Sequence, residues 1–237
     1  MNNPQQILKA YRSENMFKLA PLLILLFLFS CKKNTETGGN NLDQGYAFAP
    51  TDSGYTWVYR IDSISFDDNT QKIDTFHFYL KEKIIGKVSD QNNKNHMIVE
   101  RMVRANDTAN WLPRSNVYLL RTENNLQRVE ENIRVVKMVF PIGNTQSWNG
   151  NMYNNMGWQA FYLHNIGSDF NNGDTIFGNT ISIQEDYADN AIEEILIESV
   201  YTRNVGLIDF TNNYINTQVS GKSGYKVRQK LIQFSKP

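Results

Sequence analysis

An all-β fold is predicted by three features of the 237-residue chain. Aromatic and β-branched residues recur in short alternating runs, with 12 Tyr and 13 Phe against only 6 Pro. Clusters of Asn, Asp and Gly separate those runs, and no helical blocks stand between them. The Asn pairs at Asn92-Asn93, Asn124-Asn125, Asn154-Asn155, Asn171-Asn172 and Asn212-Asn213 read as turns. Asn tolerates positive φ and hydrogen-bonds its own backbone, which suits it to turns. A hydrophobic content of 41% suits one domain with a sizeable core.

The first strand starts in Gly54–Ile61, where Tyr55, Trp57, Tyr59 and Ile61 share one face, and runs to Phe66 before a turn at Asp67-Asp68-Asn69. Thr75–Val88 follows, with Phe76, Phe78 and Leu80 alternating against Thr75, His77 and Tyr79. The polar loop 90–95 leads to His96–Arg104, where Met97, Val99 and Arg101 oppose Ile98, Glu100 and Met102. Next come Asn116–Arg121, a turn at Asn124-Asn125, and Leu126–Phe140 with a break at Glu130-Glu131. Ser147–Asn151 reads as a turn-rich stretch. Gly157–Asn165, Thr175–Asp186, Ile192–Ile208 and Tyr225–Phe234 complete the series. Within it, Ala191–Tyr201 fits a helix face as well as a strand; the alternation of Ile195, Ile197, Ser199 and Tyr201 and the turn at Asn204-Val205-Gly206 favour strand.

These runs predict a single, long, strongly twisted antiparallel sheet over residues 45–237. Edges of a large flat sheet invite unwanted pairing, so curling into a half-barrel is expected. A two-layer β-sandwich is the alternative. No fixed-period repeat is present, which argues against propellers and solenoids.

The N-terminal segment reads as an address. Lys9, Arg12 and Lys18 precede the apolar run Leu19–Ser30, which has the length of a secretory signal core and is too short to span a bilayer. Leu28-Phe29-Ser30-Cys31 at its end resembles the lipobox of bacterial lipoproteins. The resemblance implies cleavage before Cys31, a diacylglyceryl thioether on its sulfur and acylation of the new amine. Acyl chains such as palmitate on that residue would hold the protein firmly, since stable anchoring takes more than one chain. Residues 1–30 are then signal, with Met16 an alternative start. Residues 31–44 are the lipidated cysteine and a polar tether, whose composition buries too little to order itself.

Four further motifs carry a resemblance across most of the remaining chain. They are Gly54-x-x-Trp57-x-Tyr59, Trp148-Asn149-Gly150-Asn151, Tyr201-x-x-Asn204-Val205-Gly206-Leu207-Ile208, and a turn at Gly224 leading into Tyr225–Gln229. Their order is similar to that in a group of uncharacterised Bacteroidetes lipoproteins. The group implies a lineage and a β fold, and no mechanism. With no aspartate following Cys31, and no acidic surface-export signal in the tether, the lipoprotein resemblance favours the outer membrane, facing the periplasm.

Formal charge is balanced, at 24 basic and 24 acidic residues, which argues against a nucleic-acid partner. Cys31 is the only cysteine, so internal disulfides and cysteine-based zinc sites are excluded, and lipidation removes it as a nucleophile. His77, His96 and His164 lie far apart and show no metal-ligand spacing. Asp169–Asp174 gathers oxygen ligands of the kind calcium takes, yet a polar turn explains it better. The adjacent pairs Glu130-Glu131 and Glu193-Glu194 should point to opposite strand faces, making neither an acid/base couple. No nucleophile elbow or phosphate loop is present. Asp62-Ser63-Ile64, Asp107-Thr108-Ala109 and Asp174-Thr175-Ile176 resemble short O-glycan acceptors of Bacteroidetes. Trp57, Trp111, Trp148 and Trp158 are the candidates for a ligand groove, and core packing is the competing role for each.

The functional expectation is a membrane-anchored envelope lipoprotein, not an enzyme, that binds or scaffolds without a metal or cofactor. Its partners would be the membrane, through the lipid, and an envelope protein or hydrophobic ligand. The first alternative is a carrier or sensor of lipid-like molecules on a concave sheet face, which a fully packed face would exclude. The second is a glycan-acting hydrolase. A cleft holding two close carboxylates or a metal would overturn the non-enzymatic reading.

Overall fold

The computed structural model describes residues 44–144 and 146–237. Cys31, the segment expected to be a signal and nearly all of the expected tether lie outside the described residues.

After a short 3-10 turn at Tyr46–Phe48 the described residues form twelve strands. These are β1 (Thr56–Asp67), β2 (Lys72–Ser89), β3 (Asn95–Arg104), β4 (Leu112–Arg121), β5 (Asn125–Glu130) and β6 (Ile133–Val139). Then come β7 (Ser147–Asn149), β8 (Ala160–Asn171), β9 (Ile176–Asp189), β10 (Glu193–Thr202), β11 (Gly206–Gln218) and β12 (Gly221–Ser235). All belong to one antiparallel sheet in the order β6-β5-β4-β3-β2-β1-β12-β11-β10-β9-β8-β7. The chain therefore makes two six-stranded meanders, joined where β1 pairs with β12. The predicted single curled sheet is present, and the sandwich is not.

Strands β6 and β7 are consecutive in the chain yet stand at opposite ends of the sheet. Curling brings those ends together. The Val136 amide donates to Gly150 O at 2.8 Å, and Trp148 Nε1–H donates to Val136 O at 2.8 Å. The sheet is thus nearly closed into a barrel, which hides edges that would otherwise template aggregation. The bending has a local cause: register shifts interrupt the pairing of β1 with β12, β2 with β3, β3 with β4, and β5 with β6. The second meander repeats the device in β8–β9, β9–β10 and β10–β11. An inserted residue bends its strand and increases its twist.

Two apolar clusters hold the sheet in this shape. One lies under the seam and unites Phe48, Leu126, Met138, Phe140, Trp148, Phe161, Ile181 and Ile183. The other lies where the meanders meet and contains Trp57, Tyr59, Ile61, Leu80, Ile84, Val99, Ile208 and Leu231. Each fully buried aliphatic side chain contributes about 1.5–3 kcal/mol. Residues 44–50 cross one end of the barrel. Gln44 O accepts from Ile142 N at 3.3 Å, Ala47 O from Asn204 N at 2.7 Å and Ala49 O from Arg121 Nη1 at 2.9 Å, while Tyr46 donates to Glu123 O at 3.0 Å. All four partners sit at or beside the loops that follow β4, β6 and β10.

Local chemistry explains most boundaries. The break in the 126–140 run is a two-residue hairpin loop at Glu131-Asn132, with φ of 51° and 64°. Paired positive φ matches the twist of the flanking strands. Ala191–Tyr201 is strand, as the alternation indicates. Four expectations need correction. Asn212-Asn213 lies inside β11, between β10 and β12, where ladder pairing on both sides overrides the turn preference of Asn. Gly224 lies inside β12, at φ 122°, and the turn is at Val219-Ser220. A Cβ at Gly224 would run into the Tyr214 carbonyl, so glycine is there for close backbone approach. Ser147–Asn149 is a short strand, not part of a turn. Strand β4 begins at Leu112, not Asn116; Pro113 is accommodated beside a bulge, in the stretch that β5 does not pair.

Candidate functional site

Side chains alternate between the two faces of each strand, so every second residue points into the barrel. About eight strands give an interior that side chains just fill. Twelve enclose more space than these side chains occupy. A cavity of about 630 Å³ remains, bordered by residues of every strand except β7, and by Phe48, Ala49 and Pro50 from the end-closing segment. Phe161, Ile197, Leu207 and Phe210 give one side an apolar lining. The side built by β2, β3 and β5 is different.

There, Glu82, Arg101, Arg128 and Glu130 form a closed ring of alternating charge. Arg128 grips Glu82 with Nη2 at 2.7 Å and Nη1 at 3.4 Å, and reaches Glu130 Oε2 with Nε at 3.3 Å. Arg101 Nη1 donates to Glu130 Oε1, and Arg101 Nε lies 3.3 Å from Glu82 Oε1. That last contact is ionic only: among the described residues, Arg101 Nε has no hydrogen-bond acceptor. The Glu82 side chain is 6% exposed, whereas that of Glu130 is 40% exposed. Burial pushes the Glu82 carboxyl up, but the charge and hydrogen bonds of Arg128, with the Arg101 charge, more than reverse this and hold it below the ordinary glutamate value. Arg128 is raised for the reciprocal reason: burial opposes its charge, and Glu82 and Glu130 overcome that.

A second polar group stands at the seam. Lys137 Nζ contacts Glu185 Oε1, which also accepts from Ser199 Oγ at 2.6 Å. Gln159 Nε2 donates to Glu185 O at 3.0 Å, tying the start of β8 to β9. The phenols of Tyr59 and Tyr201 border the same cavity. Burial first, and then the nearby carboxylates Glu82 and Glu185 respectively, push both far above the ordinary tyrosine value. Both are therefore neutral hydrogen-bonding groups; Tyr59 donates to Leu207 O at 3.2 Å.

Of the four tryptophans, only Trp57 borders the cavity, with Nε1 bound to Val205 O at 2.6 Å. Trp148 is core at the seam. Trp111 is half-buried beneath Lys81 and Arg104, 4.6 and 4.7 Å from its ring centroid. Trp158 is exposed. The histidines stay apart: His77 is exposed, His96 is buried with Nε2 3.1 Å from Asp90, and His164 Nε2 is 2.8 Å from Glu198. Between Asp169 and Asp174 the oxygens serve the turn itself. Asn171 Oδ1 accepts from Gly173 N, Asn172 Oδ1 accepts from the Asp174 and Thr175 amides, and Asp174 pairs with Lys230. Among the described residues no three His, Cys, Asp or Glu side chains are grouped so as to hold a metal ion. Asp62-Ser63-Ile64 lies within β1, whereas Asp107-Thr108-Ala109 is in an exposed turn, Thr108 Oγ1 being 2.9 Å from Asn106 Oδ1. Asp174-Thr175-Ile176 runs from a turn into β9.

Two corrections concern the acidic residues. Glu130 and Glu131 both border the cavity, because β5 ends at Glu130 and Glu131 belongs to the hairpin loop, where strand alternation no longer applies. Carboxylates do cluster in a cleft, since Glu82, Glu130, Glu185 and Asp186 line one cavity. Glu82, Glu130 and Glu185 each engage a cation. A sequence signal for this set existed: Glu82 continues the face of Phe76, Phe78 and Leu80, and Arg101 that of Met97 and Val99. A charge on an otherwise apolar strand face marks an interior that is not simply core.

No protein-family model matches the chain, and no curated protein matches it in sequence.

Proposed function

We propose that this chain is a binding protein that takes an amphipathic small molecule into the lumen of its curled sheet. The observation that carries the reading is the 630 Å³ cavity, apolar along β8, β10 and β11 and charged along β2, β3 and β5. Ligand cavities commonly have this size and make-up, an apolar enclosure with a few placed polar groups. The reading joins the expected envelope lipoprotein to its carrier alternative. Lipid on Cys31 would hold the lumen close to a membrane, at the periplasmic face of the outer membrane.

The cavity carboxylates suit recognition better than glycoside hydrolysis. That chemistry needs one carboxyl kept protonated to serve as general acid. Glu82 is held ionised by two arginines, and Glu130 contacts the same two.

The test is a titration of the full chain with the neutral apolar fluorophore N-phenyl-1-naphthylamine. Ile197 lines the lumen, and Ile197→Trp would narrow it without touching an ion pair. The wild-type chain should bind the probe saturably, and the variant at least about tenfold more weakly. Residues 1–43 are common to both, so binding by that segment cancels. Equal binding by the two chains would contradict the proposal. For the anchor, Cys31→Ser should abolish incorporation of radiolabelled palmitate.

A further inference from the structure

The charged ring bears on which amphiphile the lumen takes, an inference that rests on the ligand-binding reading above. Three of its members are built in. Glu82, Arg101 and Arg128 have side chains 6%, 12% and 21% exposed and come from the middles of three different strands. Glu130 is the exception. It is 40% exposed, is the last residue of β5 and adjoins the hairpin loop at Glu131-Asn132. Its two oxygens are divided between the two arginines, Oε1 to Arg101 and Oε2 to Arg128. A free carboxylate would be held in the same manner.

Without Glu130 the remaining three groups carry one net positive charge at the lumen wall. They would also present Arg101 Nη1 and Arg128 Nε as vacated donors, beside an Arg101 Nε that already lacks an acceptor among the described residues. Arginine forks match the two planar oxygens of a carboxylate. We infer that Glu130 occupies, from within the chain, the seat of a ligand carboxylate, and that the lumen takes a long-chain carboxylic acid whose head group displaces it. The exchange leaves the ring neutral, two arginines against two carboxylates, so the interior pays no charge penalty. Glu130 moves outward with the hairpin end, where water solvates it. The acyl chain then lies against Ile197, Leu207 and Phe210.

The test titrates two fluorescent ligands, cis-parinaric acid and its methyl ester, into the full chain and its Glu130→Gln variant at neutral pH. Glutamine keeps the size of the side chain and removes the competing charge. The variant should bind the acid about tenfold tighter than the wild type, and the ester equally. Arg101→Met should weaken the acid and spare the ester, with retained folding checked by circular dichroism. An acid affinity unchanged by Glu130→Gln, or a gain shared by the ester, would overturn the inference while leaving the lumen reading in place. Failure of both ligands to bind any of the chains would instead remove the lumen reading itself.

Discussion

The two walls of the lumen rest on different physics. Along β8, β10 and β11 the inner positions hold Phe161, Ile197, Leu207 and Phe210, whose contributions are dispersive and nearly independent. Along β2, β3 and β5 the inner positions hold four charges that satisfy one another, so none is separable from the rest. Burying such a set is expensive, and well-packed apolar residues of the same volume commonly serve stability as well or better. The difference indicates a division of labour. On the ligand-binding reading proposed above, the apolar wall would supply contact area and the charged wall orientation, at a cost to stability.

The largest expected effect falls on the charged wall. Glu82→Ala would leave the buried Arg101 and Arg128 with only the more exposed Glu130 to share. A loss of about 3–5 kcal/mol is expected in urea denaturation. A loss under about 1 kcal/mol would show that the ring is solvated and the two walls alike. Next is the coupling between its members. Arg101→Met and Arg128→Met should be non-additive by about 1–3 kcal/mol in a double-mutant cycle, and strict additivity would break the comparison at its root.

Acid should separate the walls as well. The Glu82 carboxyl is depressed below its ordinary value of 4.5 in the folded chain. A depressed folded value means that its stabilisation is complete above the unfolded pKa and is lost as pH falls through the lower, folded one. Stability should therefore fall below about pH 4.5, and the Glu82→Gln variant should show a flatter profile there, because the group no longer titrates. Parallel profiles for the two chains would remove Glu82 from the acid response.

Smaller effects are expected elsewhere. Ile197→Val on the half-buried apolar wall should cost about 0.5–1 kcal/mol. Arg60→Ala should change stability by under about 0.5 kcal/mol, because the Arg60–Asp62 pair has side chains 47% and 41% exposed and water screens it. A surface loss as large as that of Glu82→Ala would indicate that burial does not set the scale.

Much of the sheet was legible from alternation alone, because a period of two is set by the backbone and needs no tertiary knowledge. Trp57, Tyr59 and Ile61 fell on one face and are buried together. What stayed hidden depended on neighbours distant in sequence. Nothing local distinguishes Asn212-Asn213, held inside β11 by β10 and β12, from the Asn pairs that do turn. Gly224 resembles a turn glycine until Tyr214 is placed against it. The ring was hidden for the same reason. Glu82 and Arg128 are 46 residues apart and meet only once the sheet curls. Arg101 did stand on the Met97 and Val99 face, but its meaning required knowing that this face encloses space.

On the proposed reading, the lumen is a ligand site whose charged wall selects a carboxylate. Mass spectrometry of the non-covalent organic extract from the purified full chain tests it most directly, with Ile197→Trp purified in parallel. A carboxylic amphiphile near one per chain is expected from the wild type, and little from the narrowed variant. The same amount from both, or none from either, would contradict it.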